Sequence, residues 1–479
     1  MCKHIHYVER LKQYYIRLIK MRKVQHMIQT YSRKQKIKQL LAILLPILVT
    51  QVTMQLMGFF DTIMSGQFST EHLAGVAMAV SIWVPVYTGL SGIFLAVTPI
   101  IAQHVGAGRK DKIASSLIQA AYLSIIVGIA VIVIGAFVLD PIFNWMTLEP
   151  EVARVAREYL SALGIGVIPL FLYTVLRASI DGLGQTRITM FITLLSFPIN
   201  VFLNYCFIFG KFGMPRLGGV GAGVATAITY IVIFIIAVIL MKRNEMMRSL
   251  GMLGRFEAIS FAHWKEVLTI GVPIGLSIFF EVSVFSAVTL LMSNYDTVTI
   301  ASHQSALSFA SLLYMLPLSI AMSMTIVIGF EVGAKRIQDA KQYARIGILS
   351  AVSLSVFCAV FLFLFNENIS RLYSNDPQVV ALTQVFMVYA IFFQLSDAVA
   401  APVQGILRGY KDVKSVFIIA FCSYWIVGLP VGYVLAQTTS LEAYGYWVGL
   451  IAGLAIGAVA LFLRMAHIER KAQQGELAI

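Results

Sequence analysis

The sequence predicts an all-α integral membrane protein with twelve transmembrane helices in two pseudo-symmetric six-helix lobes, which form a parallel repeat. Three observations predict this fold class: an apolar composition, a series of apolar windows of spanning length, and an internal repeat. Of the 479 residues, 59% are hydrophobic and only 12% are charged, and the mean hydropathy is +0.83. Water-soluble chains of this length carry more charge, so the composition excludes an ordinary soluble enzyme and a disordered scaffold.

The apolar windows give the number of spans. A transmembrane helix needs about 20 mainly apolar residues to cross the hydrocarbon core of a bilayer. Twelve windows of this kind follow one another along the chain: 40–64, 72–98, 114–139, 158–179, 188–210, 218–241, 266–293, 299–326, 343–365, 379–405, 414–436 and 443–463.

Most lysines and arginines fall in alternate connections between these windows. Because cytoplasmic loops are enriched in Lys and Arg, this pattern predicts a multi-pass membrane protein with both termini in the cytoplasm. The bases in the connections on the other side are Arg154, Arg157, Lys211, Arg216 and Arg371. The formal net charge of +13 is therefore a topology signal, and nucleic-acid binding is the weaker interpretation.

Residues 1–38 form a basic extension that lacks the apolar core and cleavage site of a signal peptide. From Tyr7 to Ile28, apolar and aromatic residues recur at helical spacing with bases between them, which is typical of an amphipathic helix on anionic lipid headgroups. Two alternatives stay open. The segment is a disordered basic tail, or the start is assigned too early and Met21 or Met27 is the true first residue.

The second half of the chain repeats the first. Pro46 and the segment 105–109 recur as Pro273 and the segment 332–336 at one constant spacing. An even number of spans per copy makes both copies enter from the same side, so their symmetry axis runs along the membrane normal. The predicted organisation is a basic N-terminal extension, a first lobe, a cytoplasmic linker, a second lobe and a cytoplasmic tail, at 1–38, 39–241, 242–265, 266–463 and 464–479.

Two parallel lobes around a cleft are the architecture of secondary transporters that work by alternating access. A duplicated scaffold without a transport role is the alternative. The sequence contains no HExxH, GxSxG or Walker motif, and its four cysteines show neither CxxC spacing nor a paired framework. We therefore predict no enzymatic activity and no cofactor apart from a coupling ion.

Three acids stand well inside predicted spans: Asp61, Glu281 and Asp397. A charged group inside the hydrocarbon core costs about 2.5–3.5 kcal/mol on insertion scales, so each acid calls for a reason. Burial disfavours the ionised form of a carboxyl group, which lets it hold a proton or a desolvated alkali cation. The alternative is a neutral, hydrogen-bonded carboxyl that joins two helices. Gln304 and its neighbour His303 are further polar residues inside a span that could contact a substrate or another helix.

Phenylalanines flank each of these acids. Aromatic faces attract cations and favour flat, lipophilic molecules, so these side chains are candidates for the lining of a drug cavity. The candidates are Phe59, Phe60, Phe279, Phe280, Phe392 and Phe393.

Several motifs agree in order and spacing with one known group. They are Gly58-Phe59-Phe60-Asp61-Thr62-Ile63-Met64-Ser65-Gly66, Phe279-Phe280-Glu281-Val282, Ala301-Ser302-His303-Gln304, Ser396-Asp397-Ala398-Val399 and Leu407-Arg408-Gly409-Tyr410-Lys411-Asp412. From residue 40 to 463 the chain resembles the multidrug and toxic compound extrusion (MATE) family, and its bacterial NorM-type branch most of all. The resemblance implies a location in the bacterial inner membrane and export of organic cations and varied drugs, driven by inward flow of sodium or protons.

The resemblance also assigns roles to single residues. Asp61 matches the family's first-lobe acid, and Glu281 with Asp397 matches the second-lobe cation site. The carboxamide or acid partners expected on the fifth helix correspond to Ser196 and Asn200. Phe393 stands where a cation-facing tyrosine can occur, so one potential oxygen ligand is missing.

The function predicted from the sequence is a monomeric multidrug exporter that works as a sodium or proton antiporter on lipophilic, mostly cationic drugs. Glu281 and Asp397 are expected to bind sodium, because hard cations prefer carboxylate oxygens, and Asp61 is expected to bind a proton. One alternative is a flippase for lipid-linked sugars, although acids rather than bases inside the spans disfavour an anionic substrate. A second alternative is an intramembrane enzyme, against which the missing motifs argue.

Overall fold

A computed structural model describes residues 27–146, 148–254, 256–292, 294–374 and 376–476. The amphipathic segment expected before residue 27 lies outside the described residues. The α-helices, labelled in chain order, are α1 Arg33–Phe68, α2 Thr70–Phe94, α3 Val97–Gly106, α4 Lys110–Trp145, α5 Pro150–Gly182, α6 Thr186–Phe209, α7 Gly219–Arg243, α8 Glu245–Ser249, α9 Phe261–Met292, α10 Thr297–Gly333, α11 Ile337–Tyr373, α12 Pro377–Gly409, α13 Val413–Phe421, α14 Leu429–Thr438 and α15 Ala443–Gln473.

The predicted all-α membrane fold is confirmed. Within the described ranges the chain forms helices and no strands, and twelve helical segments are long and apolar enough to span a membrane. Helices are the expected solution, because every backbone polar group inside lipid needs a partner within its own segment. Each predicted window overlaps one of these segments, and most helices extend one or more turns beyond it. The predicted lobe, linker and tail boundaries stay predictions.

Two of the spans are divided between separate helical elements. The second span breaks between α2 and α3 at Leu95 and Ala96, inside one apolar run. The eleventh span joins α13 to α14 through a π-helix, Cys422–Gly428, just before Pro430. Proline lacks a backbone N–H and clashes with the preceding turn, so a wider turn before it relieves the helix.

The connections 107–109, 183–185, 334–336 and 410–412 lie at the same end of the bundle as the start of α1 and the end of α15. We call this the basic end, since these connections and the flanking turns carry most of the loop lysines and arginines. The connections 210–218 and 439–442 lie at the opposite end.

The two lobes share hydrophobic cores only toward the basic end. Leu40, Ile43 and Ile47 of α1 pack into the core of the second lobe, and Val267 and Ile270 of α9 pack into that of the first. Toward the opposite end, among the described residues, each lobe has a separate cluster of its own. The lobes therefore meet at the basic end and are separate at the other.

Glycines let the lobes approach closely at this junction. A Cβ on Gly275 of α9 would collide with the carbonyl of Gly89 on α2, and one on Gly92 would collide with the Gly275 backbone. A Cβ on Gly106 would likewise meet the Phe330 carbonyl of α10. Only residues without a side chain permit helix crossings this close, as is common between membrane helices.

Candidate functional site

The first-lobe acid, Asp61, lies half-buried on α1 and faces two other helices. Asn204 Nδ2 of α6 donates a hydrogen bond to Asp61 Oδ1 at 2.5 Å. Thr226 Oγ1 of α7 donates a longer hydrogen bond, 3.4 Å, to Asp61 Oδ2. Three helices of the first lobe thus converge on one carboxyl group.

The two residues predicted to accompany Asp61 lie on the same face of α6 but do not touch it. Asn200 Oδ1 accepts a hydrogen bond of 3.1 Å from Asn204 Nδ2. Ser196 Oγ donates to the Thr193 carbonyl and contacts Met57 Sδ, one turn before Asp61. The direct partner, Asn204, continues the same spacing by one more turn, and that spacing is the signal that could have identified it.

The two amide side chains next to Asp61 have unused hydrogen-bonding groups. Asn200 Nδ2 and Asn204 Oδ1 are buried and have no partner within the described part of the chain. An amide that rotates exchanges a donor for an acceptor, and a protonated carboxyl donates where a carboxylate accepts. The arrangement can therefore solvate Asp61 in both protonation states.

The second-lobe acids lie on two helices, α9 and α12. Tyr314 Oη of α10 donates a hydrogen bond of 3.0 Å to Glu281 Oε1 on α9. Asp397 of α12 is only 2% exposed, and its Oδ2 has no partner among the described residues. Asp397 lies near enough to Glu281 for their charges to interact. The structure therefore brings these two acids into one polar site, together with the tyrosine.

A buried base also belongs to this site. Arg408, which the sequence places among the loop bases, is buried on the last turns of α12, and its charge interacts with Glu281. Its NH2 group donates to Gln404 Oε1 at 3.2 Å, while its Nε has no partner among the described residues. No feature of the sequence separates Arg408 from neighbouring loop bases, because its burial depends on where α12 packs against α10.

The candidate phenylalanines have different surroundings. Phe60 stacks edge-on against Phe197, and Phe280 packs against Phe421 and Trp425. Phe59, Phe279 and Phe392 have exposed side chains. Phe393 is buried against Phe285, so its ring is not available at a cavity surface.

The pair His303 and Gln304 divides into one buried and one exposed side chain. His303 is 1% exposed, and it is hydrogen-bonded at 3.1 Å to Trp447 Nε1 and at 3.2 Å to Thr289 Oγ1. The side chain of Gln304 is exposed. The histidine is a packing residue of the second lobe.

The second-lobe acids do not form a cluster of the kind that binds transition metals. Among the residues that the structure describes, no group of three or more His, Cys, Asp and Glu side chains could hold a metal ion. Glu281 and Asp397 offer carboxylate oxygens, and Tyr314 Oη offers one more. Such an all-oxygen set suits a hard cation.

The MatE family profile matches the chain twice, at residues 46–206 and 273–434. The chain is 54% identical over 446 residues to a protein of Bacillus subtilis, covering 93% of this chain and 99% of that one. It is 53% identical over 442 residues to one of Halalkalibacterium halodurans, covering 92% and 96%. Both relatives are named "Probable multidrug resistance protein NorM".

Solved structures share the fold at low sequence identity. One is described as the outward-facing conformation of a multidrug resistance MATE family transporter, with a TM-score of 0.84 and 19% identity, covering 93% of this chain and all of that one. A eukaryotic MATE transporter superposes with a TM-score of 0.79 at 20% identity, covering 92% and 99%.

Two repeated six-helix lobes with acids inside their spans define a polytopic membrane transport protein rather than an enzyme. The double profile match and the relatives that are more than half identical identify the family of the chain within this class. The chain belongs to the MATE family.

Proposed function

We propose that this protein is a secondary active multidrug exporter, which couples efflux of lipophilic, mostly cationic drugs to inward flow of sodium or protons. The names of relatives more than half identical to this chain support the multidrug substrate class. The observation that carries the proposal is the placement of hydrogen-bonded or buried acids, inside the spans, in both lobes of a two-lobed bundle.

The way the lobes meet supports alternating access. Their shared cores lie toward the basic end, whereas toward the opposite end each lobe has its own core. The enrichment of bases argues that the basic end and both termini are cytoplasmic. This arrangement corresponds to an outward-facing state, and rocking of the lobes would expose the site to the cytoplasm.

Charge favours cationic substrates over anionic ones. Asp61, Glu281 and Asp397 outnumber the one buried base, Arg408, that accompanies them. A flippase for lipid-linked sugars needs bases to hold a pyrophosphate, and this site offers one arginine, whose charge already interacts with Glu281. Drug export is therefore the better supported function.

The two lobes suit different ions. Glu281, Asp397 and Tyr314 supply oxygens for a desolvated sodium ion. Asp61 faces an amide and a hydroxyl, which can solvate a carboxyl in either protonation state. We expect sodium dependence to track the second lobe and pH dependence to track the first.

The test is drug efflux from proteoliposomes of the monomeric protein, with sodium and proton gradients imposed separately. Glu281→Gln and Asp397→Asn should abolish sodium-driven efflux while leaving insertion intact, and Asp61→Asn should abolish the response to a proton gradient. Asp140→Asn, an exposed acid near the opposite end, is the matched control and should keep wild-type rates. Efflux that ignores sodium and is lost only in Asp61→Asn would refute the sodium site.

A second experiment distinguishes the role of Asn204 from that of Ser196. Asn204→Leu removes the donor to Asp61, so we expect a shifted pH profile of efflux and a loss of proton-driven rate of about tenfold or more, for a hydrogen bond to a charged group worth roughly 1.5–3 kcal/mol. Ser196→Ala should leave that profile unchanged, since Ser196 bonds to its own helix. Equal effects of both substitutions would contradict this assignment.

A further inference from the structure

A groove opens on the outside of the first lobe at the basic end. It runs between α4 and α7, which pack against α5 rather than along each other. Leu176 of α5 forms its floor, Leu117 and Tyr122 of α4 line one wall, and Val238 and Lys242 of α7 line the other. Its volume is about 330 Å³.

A second pocket of about 280 Å³ continues this groove beneath the segment that follows α7. Lys242, Met252 and Leu253 line both pockets, and Met247 and Arg248 line the second. Together the two pockets form one surface, which we call the linker groove. It is apolar along its length and has two bases at its end.

The bases of the linker groove are available to a ligand. Lys242 and Arg248 are exposed, and within the described ranges neither has an acidic partner. Neither pocket is lined by an aspartate or glutamate. Lys242 lies on the last turn of a membrane-spanning helix, and the ends of such helices lie at the depth of the lipid phosphates.

An apolar track leads from the bases toward the middle of the membrane. Ile126 and Ile129 continue the Tyr122 face of α4 at helical spacing, and both are about half exposed. Ile235 and Ile239 do the same beside Val238 on α7. Phe256 lines the mouth of the groove with its ring 98% exposed. The surface therefore offers bases for a headgroup and hydrocarbon for acyl chains.

We propose that the linker groove binds one anionic phospholipid, with its phosphate on Lys242 and Arg248 and an acyl chain between α4 and α7. Basic pockets between membrane helices on the cytoplasmic side recognise such headgroups through charge. Two other candidate ligands, the basic residues 1–26 and a cationic drug, fit less well. Both carry the same sign of charge as the groove. A zwitterionic lipid has no net charge to complement the two bases.

Native mass spectrometry of the purified full-length chain in a neutral detergent tests the proposal, with phosphatidylglycerol as the probe and phosphatidylcholine as the reference. We expect one saturable phosphatidylglycerol adduct. Lys242→Gln with Arg248→Gln should weaken it by about 30-fold, because each base near the surface contributes about 1 kcal/mol. Lys242→Arg with Arg248→Lys should retain it. Arg187→Gln with Lys335→Gln, two exposed bases of the same end outside the groove, is the matched control.

Thermal unfolding of each variant verifies that it is folded. A soluble competitor, glycerol phosphate, should fail to displace the lipid, since it lacks acyl chains; displacement would show a free-phosphate site and overturn the lipid assignment. Equal binding of phosphatidylcholine, wild-type affinity in the Gln pair, or an equal loss in the control pair would each overturn the proposal as well. Drug efflux is not the readout, so these results are independent of the proposed transport function.

Discussion

Lys36 joins the two lobes at the basic end and offers a direct test of how that end is held closed. Its side chain is 1% exposed, and its Nζ lies 2.7 Å from Asp339 Oδ1 on α11 of the second lobe. Nζ also donates to the Thr30 carbonyl at 3.0 Å and lies 5.6 Å from the centre of the Tyr343 ring. We predict that Lys36→Met shifts the equilibrium toward an open basic end.

The free-energy cost of Lys36→Met follows from the contacts that this substitution removes. Hydrogen bonds to charged groups each contribute about 1.5–3 kcal/mol. Only the bond to Asp339 joins the two lobes. The lower part of the range applies to it, because methionine keeps the packing of the lysine stem and Asp339 keeps Arg336 at 3.8 Å. A loss of about 2 kcal/mol changes the ratio of closed to open molecules by about 30-fold. A closed population of about 99% would fall to roughly three quarters.

The assay is a distance distribution between spin labels at Lys110→Cys and Lys335→Cys, near the tips of basic-end connections in the two lobes. The native cysteines are first replaced: Cys2, Cys206, Cys358 and Cys422. In wild type we expect separations that change with gradient and drug, and in Lys36→Met an increased long-distance population under all conditions.

Two further variants control this prediction. Asp339→Asn should have a similar effect, and combining it with Lys36→Met should add little, because both remove the same pair. Arg371→Met breaks an exposed ion pair with Glu367 that lies within the second lobe alone, and it should leave the distances unchanged. If Lys36→Met and Arg371→Met give the same distribution, the pair does not hold the basic end closed. Separations that stay fixed under both gradient and drug would refute the rocking model.

Two other predictions concern packing. Gly275→Val should widen the basic-end distances or prevent closure, since overpacking costs about 1–3 kcal/mol at a site that lacks room for even one Cβ; Gly58→Val, where nothing lies within 4 Å of a Cβ, should not. His303→Ala should lower the thermal unfolding midpoint, at a cost of roughly 2–4 kcal/mol for two lost hydrogen bonds and a cavity, whereas Gln304→Ala on the exposed side should change it little. Equal midpoints for the last two variants would contradict the buried role of the histidine.

The fold could be predicted from the sequence because the bilayer allows few solutions. Apolar length fixes the number of spans, the alternation of bases predicts their direction, and the repeat of Pro46 as Pro273 predicts two equivalent lobes. The interrupted spans were harder to foresee. The break at Leu95 and the π-helix before Pro430 depend on local geometry, and proline alone does not determine which kind of distortion relieves a helix.

The charged residues of the candidate site could be predicted from the sequence. An acid inside a span is costly, so Asp61, Glu281 and Asp397 stand out in the sequence. Their partners do not, because a contact between helices depends on the rotation and crossing of both. Asn204 lies one turn beyond Asn200, so the spacing along α6 makes it a candidate, but where α6 crosses α1 decides that Asn204 and not Ser196 reaches Asp61.

The polar residues that bridge the lobes act on the same conformational equilibrium as the ion sites. A ligand shifts a conformational equilibrium only by the difference between its affinities for the two states, and a change from 1:99 to 99:1 needs about 5.5 kcal/mol. A closed basic end held much more strongly than this could not be opened by one cation or one drug. The Lys36 pair contributes about 2 kcal/mol, which is below that limit. Contacts between the lobes that can be broken within this limit are what coupling requires, and a substitution that strengthens them should slow transport.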